Sequence, residues 1–355
     1  MGTKNIPPFQ SGLTVWYGPK MAKRKDEWQL DLTREEIAEL ENAASQFLAT
    51  RSNIGELDQE KFFLPTLNRK LNFLREELIH GRGFFLLRGL PVEKYTEKEA
   101  ATIFYGLGTH LGNARSQNAA GHVLGHVCDL GADAGDPGIR YYQTNQRQTF
   151  HTDSCDVVGL LCLQPAKKGG ESLLVSGDTL FNEMRERRPD LLKLLMEPIA
   201  TDRRGEVPEG MLPYLLIPVF SFFENKVTVF YQRQYIESAQ RFDDAPRLTE
   251  KHIEALDLFD ELANSDQLNF SMMLEKGDMQ FVYNHAMLHD RTGFEDWDEL
   301  KKRRHLLRLW LSVPDDRLLP EVFASRFGSV EIGNRGGIVV PGTKFCVPLR
   351  RDLAV

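Results

Sequence analysis

"VVGLLCLQPAKKGGESLLVS", Val157 to Ser176, is an apolar run, a turn at Lys167-Lys168-Gly169-Gly170, and a second apolar run. Each run is short and bounded by turn residues, so each reads as a buried strand rather than a helix. The pattern recurs downstream. "PVFSFF" (Pro218 to Phe223) turns at Glu224-Asn225 and returns as "KVTVFYQRQYI" (Lys226 to Ile236), a hairpin signal. "LNFSMML" alternates, with Leu268, Phe270, Met272 and Leu274 on one side. "GDMQFVY" (Gly277 to Tyr283) and "RHLLRLWLSV" (Arg304 to Val313) complete the set. Two helical stretches interrupt it, Asp178 to Met196 and "LTEKHIEALDLFDELA" (Leu248 to Ala263). Many short strands with long returns predict a mainly β fold: a double-stranded β-helix, or jelly roll, flanked by α-helices.

The first third is helical with one strand. "LTREEIAELENAASQFLA" (Leu32 to Ala49) opens on Thr33 with Glu36 three residues on, a capping box. Ile37, Leu40 and Ala44 fall on one face. A second helix carries Leu67, Leu71, Leu74 and Leu78 and stops near Gly81 and Gly83. "FFLLRGLP" (Phe84 to Pro91) reads as a buried strand, and Thr96 with Glu99 caps a third helix. No repeat or linker divides the 355 residues, so one domain is expected, with a helical part at about 28–115 and a C-terminal tail at 314–355.

Apolar content of 41% is that of a globular chain. A net charge of -7 disfavours nucleic acid as a partner. Of the two basic runs, Lys20 to Lys25 reads as solvated, while Lys301 to Arg304 leads into an apolar strand and can turn its arginines inward. Cys128, Cys155, Cys162 and Cys346 form no CxxC pair. Neither "MGTKNIPPFQ" nor "RRDLAV" is an address, and no run is long enough to span a bilayer. A soluble cytoplasmic protein with free thiols follows, without a membrane partner; a homo-oligomer is left open.

Just before the opening stretch stands "TFHTDSCDVV" (Thr149 to Val158). On a strand, alternate residues share a face, so His151 and Asp153 would aim together. An imidazole and a carboxylate so placed either form a buried hydrogen-bonded pair or begin a metal site. Two histidines and one carboxylate with open positions suit non-haem iron(II). Among nine histidines, His80, His122, His126 and His252 have ordinary explanations as helix-end, loop or helix residues. His285 and His289, past the strand ending near Asn284, remain as candidates for a third ligand.

Four pieces in order, "FHTDS" (Phe150 to Ser154), "KKGGES" (Lys167 to Ser172), "GDMQFVYNHAMLHDR" (Gly277 to Arg291) and "RRHLLRLWL" (Arg303 to Leu311), resemble the taurine dioxygenase (TauD/TfdA) family of iron(II)- and 2-oxoglutarate-dependent oxygenases. The resemblance runs from about Phe84 to Val313 and makes that span the catalytic core. It implies His151, Asp153 and His289 as iron ligands, His285 falling too early in the "N…LH-x-R" segment. It implies Ser172, where the family has Thr, and Arg304 on the distal carboxylate of 2-oxoglutarate, with Arg308 near co-substrate and substrate. The residues agree: Arg304, Leu306, Arg308 and Trp310 share a strand face, and inward arginines need anionic partners, a dicarboxylate or structural Asp and Glu.

The implied cofactors are Fe(II), 2-oxoglutarate as co-substrate, and O2. The implied reaction couples oxidative decarboxylation to hydroxylation, or a related C–H oxidation, of a small molecule. With Asp153 present, halogenation is not expected. The likeness leans to secondary-metabolism members, so an amino acid or a natural-product intermediate is the expected substrate. Tyr142, Asn145, Gln146 and Asn284 are candidate substrate contacts. Met272, Met273 and Phe281 are expected in the core, and Thr201 to Tyr214 where a lid would sit. Two other readings compete. A zinc hydrolase suits His/Asp/His but needs neither Ser172 nor two inward arginines. A non-catalytic jelly-roll binding protein would not need an intact ligand set.

Overall fold

The computed structural model describes residues 6–131, 141–340 and 342–349. Of the two chain ends read above for addresses, residues 1–5 and 350–355 lie outside them. Two sheets face each other. The larger runs in the order Gln29–Asp31, Phe84–Arg88, Met279–Tyr283, Val157–Gln164, His305–Ser312, Asn113–Ala114, and Gly125–Val127 also pairs with His305–Ser312. The first pair is parallel and the rest are antiparallel. The smaller sheet runs Asn269–Met272, Ser172–Ser176, Met287–Arg291, Gln148–His151, all antiparallel.

The burial follows from the sequence periodicity. Val157–Gln164 and His305–Ser312 lie mid-sheet, and their near-continuous apolar runs are covered on both faces. Asn269–Met272 is an edge strand of the smaller sheet, and its neighbourhood alternates: Leu268, Phe270, Met272 and Leu274 are buried while Ser271 is exposed. Met273 points the other way and is 44% exposed, which corrects its placement in the core; Met272 and Phe281 are buried as expected. The hairpin forms with Phe223 opposite Lys226, and both turn residues, Glu224 and Asn225, have positive φ, the requirement of a type I′ turn. Gly277 precedes the strand Met279–Tyr283 at φ +81°; a Cβ there would fall 1.8 Å from the Leu90 carbonyl oxygen, so only glycine fits.

Helices cover the outer faces. Arg34–Ala49 and Glu97–Thr109 carry the capping boxes read at Thr33 and Thr96. The long helical stretch after Ser176 is two helices, Gly177–Arg187 and Pro189–Leu195, because Pro189 has no amide hydrogen to continue the first. These two, Glu250–Ala263 and the hairpin form a second apolar cluster against Val175 and Leu288 of the smaller sheet.

The segment after Val313 is built into the molecule. Phe323, Phe327 and Arg335 are buried, and Gly337 N–H donates to the Ser154 carbonyl at 2.7 Å. Its contact with residues 152–156 brings it to the edge of the site.

Candidate metal centre

The strand Gln148–His151 ends at His151, so strand alternation is not what aligns Asp153 with it. A braced turn does that. Thr152 N–H donates to the Tyr231 carbonyl at 2.9 Å, and Asp153 N–H donates to Asn284 Oδ1 at 3.0 Å. His289 does not lie beyond a strand end either: the chain turns at 284–286 and re-enters the smaller sheet as Met287–Arg291. There His289 stands directly opposite His151, ring centroids 4.1 Å apart.

His151 Nε2 is 4.0 Å from Asp153 Oδ1, and His289 Nε2 is 3.7 Å from Asp153 Oδ2. One ligand atom from each residue fits within 4.8 Å of the others. His151 Nδ1 is 2.8 Å from the Thr149 carbonyl; that contact requires the proton on Nδ1 and leaves the Nε2 lone pair toward the site, where Gln148 Nε2 approaches at 2.9 Å. Burial, then the neighbouring His151, pushes the His289 pKa down to about 3, and burial lowers that of His151 too. Both imidazoles are therefore neutral, as ligands must be. Burial opposes the charge on Asp153, yet the carboxyl is held below its ordinary value, with the Arg308 guanidinium and the Trp310 N–H favouring the carboxylate. Trp310 Nε1–H donates to Asp153 Oδ2 at 2.9 Å. Two neutral imidazoles and an anionic carboxylate meeting at one buried point suit a divalent cation.

His285 is not part of this group. Its Nε2 is 2.8 Å from Asp156 Oδ1, in a second buried cluster with Asp316. There Arg335 already supplies the cation: Nε lies 2.8 Å from Asp156 Oδ1 and Nη2 2.7 Å from Asp316 Oδ2. A guanidinium stands where an ion would.

The metal-ligand candidates sit between two lobes of a cavity, with Tyr142, Gln148, His151, Asp153 and Arg308 lining both. The inner lobe is walled by Val127, Val158, Leu160 and Leu274 and holds Ser172, His289, Arg291 and Arg304. Arg304 is 5% exposed, its Nη1 is buried without a partner among the described residues, and burial pushes its pKa down to about 10. Gly170, at φ +79°, opens the turn before Ser172; a Cβ there would lie 3.1 Å from Arg304 Nε. Ser172 Oγ is 2.9 Å from Gln280 Oε1. Arg308 donates from Nε to Gln117 Oε1 at 2.7 Å, stacks on Tyr142 at 4.5 Å, and lies 3.7 Å from Asp153 Oδ2.

Of the four candidate substrate contacts, Tyr142 alone lines the cavity. Asn145 and Gln146 are exposed; the turn spends their carbonyls on Phe294 N–H and Arg291, not their side chains on the site. Asn284 is buried, but as a brace: Oδ1 holds the Asp153 amide and Nδ2 reaches Cys155 Sγ at 3.2 Å. The expected lid, Thr201 to Tyr214, is mainly the loop that joins the antiparallel strands Ile199–Asp202 and Tyr214–Ile217, and none of it lines either lobe.

Sequence reasoning missed Arg291, although "LHDR" contains it. Its Nη1 donates to the Thr144 carbonyl at 2.9 Å, its Nε is buried without a partner, and burial with the nearby Arg304 pushes its pKa down to about 9. Also missed were Gln280, a polar residue inside an apolar strand and so visible in principle, and the outer-lobe residues Gln232, Gln234, Tyr235 and Arg326.

The family described as "Taurine catabolism dioxygenase TauD, TfdA family" matches residues 50–310. FR-33289 synthase of Streptomyces rubellomurinus is 31% identical over 316 residues, 87% of this chain and 92% of that protein. The taurine hydroxylase-like protein SAT17 of Stachybotrys chartarum is 31% identical over 305 residues, 83% of this chain and 77% of that protein. Among solved structures, asparagine oxygenase in complex with Fe(II), 2S,3S-3-hydroxyasparagine and succinate superposes with a TM-score of 0.61 at 17% identity, over 80% of this chain and 93% of the other. The non-heme iron oxygenase OrfP with Fe and alpha-ketoglutaric acid gives 0.58 at 15% identity, over 80% and 93%.

Proposed function

This chain belongs to the TauD/TfdA dioxygenase family, and on that premise we propose that it binds iron(II) through His151, Asp153 and His289 and receives 2-oxoglutarate in the inner lobe. The protein is an oxidoreductase that uses this cofactor pair and O2 to oxidise a small organic substrate. One observation supports the residue assignment: two neutral imidazoles and a carboxylate open onto a lobe that ends in a buried guanidinium nitrogen without a partner among the described residues. A dicarboxylate reaching from the metal position to Arg304 uses both ends of that lobe. A zinc hydrolase would have no use for Arg304.

When bound, iron and 2-oxoglutarate supply the decarboxylation-coupled oxidation; the chain orients the partners and excludes water. Arg304 takes the distal carboxylate in a fork geometry. Ser172 joins it once the Gln280 amide is turned so that Nε2–H donates to Ser172 Oγ, which frees the serine proton. Arg308 lies against Asp153 and balances its charge. Trp310 and Asn284 hold the carboxylate and its backbone in place. The apolar walls of the inner lobe keep water from the reacting ends.

The substrate occupies the outer lobe. Its lining of glutamines, tyrosines and a serine suits a compact, polar molecule, such as an amino acid or a secondary-metabolite intermediate. A cytoplasmic setting fits four free cysteines, and among the described residues no helix is long and apolar enough to cross a membrane. The test is stoichiometric. Iron-loaded protein should convert 2-oxoglutarate to succinate with O2 consumption, at a rate raised by the right substrate, and His289→Ala should lose both iron and turnover. Zinc retained through purification, with no 2-oxoglutarate consumed, would refute the reading.

A further inference from the structure

A second concavity shares no residue with either lobe. It is a groove where the helices Asn68–Ile79 and Glu97–Thr109 meet the loop at 57–60 and the start of the strand Asn113–Ala114. Its polar lining carries both signs. Arg75 comes from the first helix, and Asp58 and Glu60 come from the loop. Arg75 is half-buried. Its Nε is shut off from water without a hydrogen-bond partner, and among the described residues its guanidinium makes no ion pair. An N–H that neither water nor an acceptor reaches is costly to keep. Tyr105 from the second helix is buried, and burial pushes its pKa up to about 12, so the phenol stays a protonated donor. Its hydroxyl makes no hydrogen bond among the described residues.

The two carboxylates differ. Asp58 is spent on Lys61, whose Nζ lies 2.8 Å from Oδ2 and whose N–H donates to Oδ1 at 2.9 Å. Lys61 Nζ also donates to the Glu56 carbonyl at 2.7 Å. Glu60 feels that ammonium through space, but it makes no hydrogen bond or ion pair among the described residues. Arg75 and Glu60 therefore line one groove without pairing across it. The walls that carry them are fixed. A Cβ on Gly106 would lie 2.4 Å from the Phe62 ring, so the loop packs directly on the helix backbone. Gln59 Nε2 donates to the Thr109 carbonyl at 3.0 Å, and His110 Nε2 is 2.7 Å from the Phe62 carbonyl. Side chains supported in this way make accurate recognition groups.

We propose that this groove is a second small-molecule site, which takes a zwitterion carrying one carboxylate and one ammonium group. Arg75 receives the carboxylate through paired N–H donors, with the Tyr105 hydroxyl as a further donor, and Glu60 receives the ammonium. A simple anion would meet Glu60 and a simple cation would meet Arg75; a molecule with both charges satisfies both. The inference is independent of how the two lobes are used.

The test uses the full chain with zinc(II) in place of iron, so that no turnover occurs, and follows backbone amide signals by NMR. Glycine, β-alanine and 4-aminobutanoate present the two charges at increasing separation; acetate and methylammonium present one each. At least one zwitterion should shift the Gly112, Asn113 and Ala114 signals saturably, and should bind at least about tenfold more tightly than acetate or methylammonium. Arg75→Gln and Glu60→Gln should each weaken it at least about tenfold, the loss of one charge-assisted contact, and Arg75→Lys should weaken it less. No zwitterion moving these signals would overturn the proposal. So would acetate binding as tightly as the best zwitterion, or binding unchanged in either Gln variant. Shifts confined to Gln148, Gln232 and Gln234 would also overturn it, since they would place the probe in the outer lobe instead.

Discussion

Arg304 shows how far a single residue can be argued. It is buried, its pKa is pushed down, and one of its nitrogens has no partner. Such a group costs stability unless an anion arrives. Arg304→Ala should therefore leave folding intact and weaken 2-oxoglutarate binding by about 10- to 1,000-fold, the range for losing one partner of a desolvated charge pair, as measured by calorimetry on the metal-loaded protein. His110 makes a different case. It lies far from the site, buried, with Nε2 2.7 Å from the Phe62 carbonyl, and burial depresses its pKa below 6.5. The unfolded chain then binds a proton that the folded chain refuses. Stability is full above pH 6.5 and falls as pH drops below it, by at most about 1.4 kcal/mol per pH unit for this group. Urea unfolding at pH 5, 6 and 7 should show a slope to which His110 adds this share, and His110→Gln should lessen it without abolishing it, since His151, His285 and His289 are depressed by burial as well. At this scale the sequence was informative where chemistry restricts the residue type, as for His151, Asp153 and His289. It was silent where a neutral residue is merely near. Nothing in the string distinguishes exposed Asn145 from Gln148, which lines both lobes; a turn decides that.

Elements were legible when their own periodicity or capping specifies them. The capping boxes at Thr33 and Thr96 and the alternation at Leu268 to Leu274 are local properties, and they appear as read. The break at Pro189 was legible too but was passed over in a long helical pattern. What could not be read is which element ends early, as the strand Gln148–His151 does two residues before Asp153. Asp153 escapes the strand because its amide is bound by Asn284, 131 positions away in sequence. The turn at Glu224-Asn225 offers a test at this scale. Both residues have positive φ, and Glu tolerates that region poorly. Glu224→Asn should stabilise the protein by about 0.5–1 kcal/mol, read as a raised urea midpoint with an unchanged m-value. No change would contradict this, and would mean that the turn is open in the folded protein.

At the scale of the molecule, the jelly-roll class follows from many short strands with long returns, but the part played by the C-terminal segment does not. Its bond to the site is a buried charge network, Asp156, His285, Asp316 and Arg335, spread over residues that share no local pattern. The network also takes up His285, the rival to His289 in the sequence, which lies with Asp156 and Asp316 and not with His151 and Asp153. Arg335→Met should destabilise the whole protein by about 3–5 kcal/mol, because Asp156 and Asp316 would lose their counter-ion while buried. Chemical denaturation would measure it, and the variant should release metal on the same curve as it unfolds, since Asp156 ends the turn that carries Asp153.

The measurement that bears most directly on the central claim is an anaerobic titration of the metal-free protein with iron(II) and then 2-oxoglutarate, followed by visible absorption. The account predicts a charge-transfer band that saturates at one equivalent of each, is absent in Asp153→Ala, and in Arg304→Ala appears only at much higher 2-oxoglutarate. Iron bound with no such band would contradict it: the metal site would stand, and the inner lobe would not be the 2-oxoglutarate site.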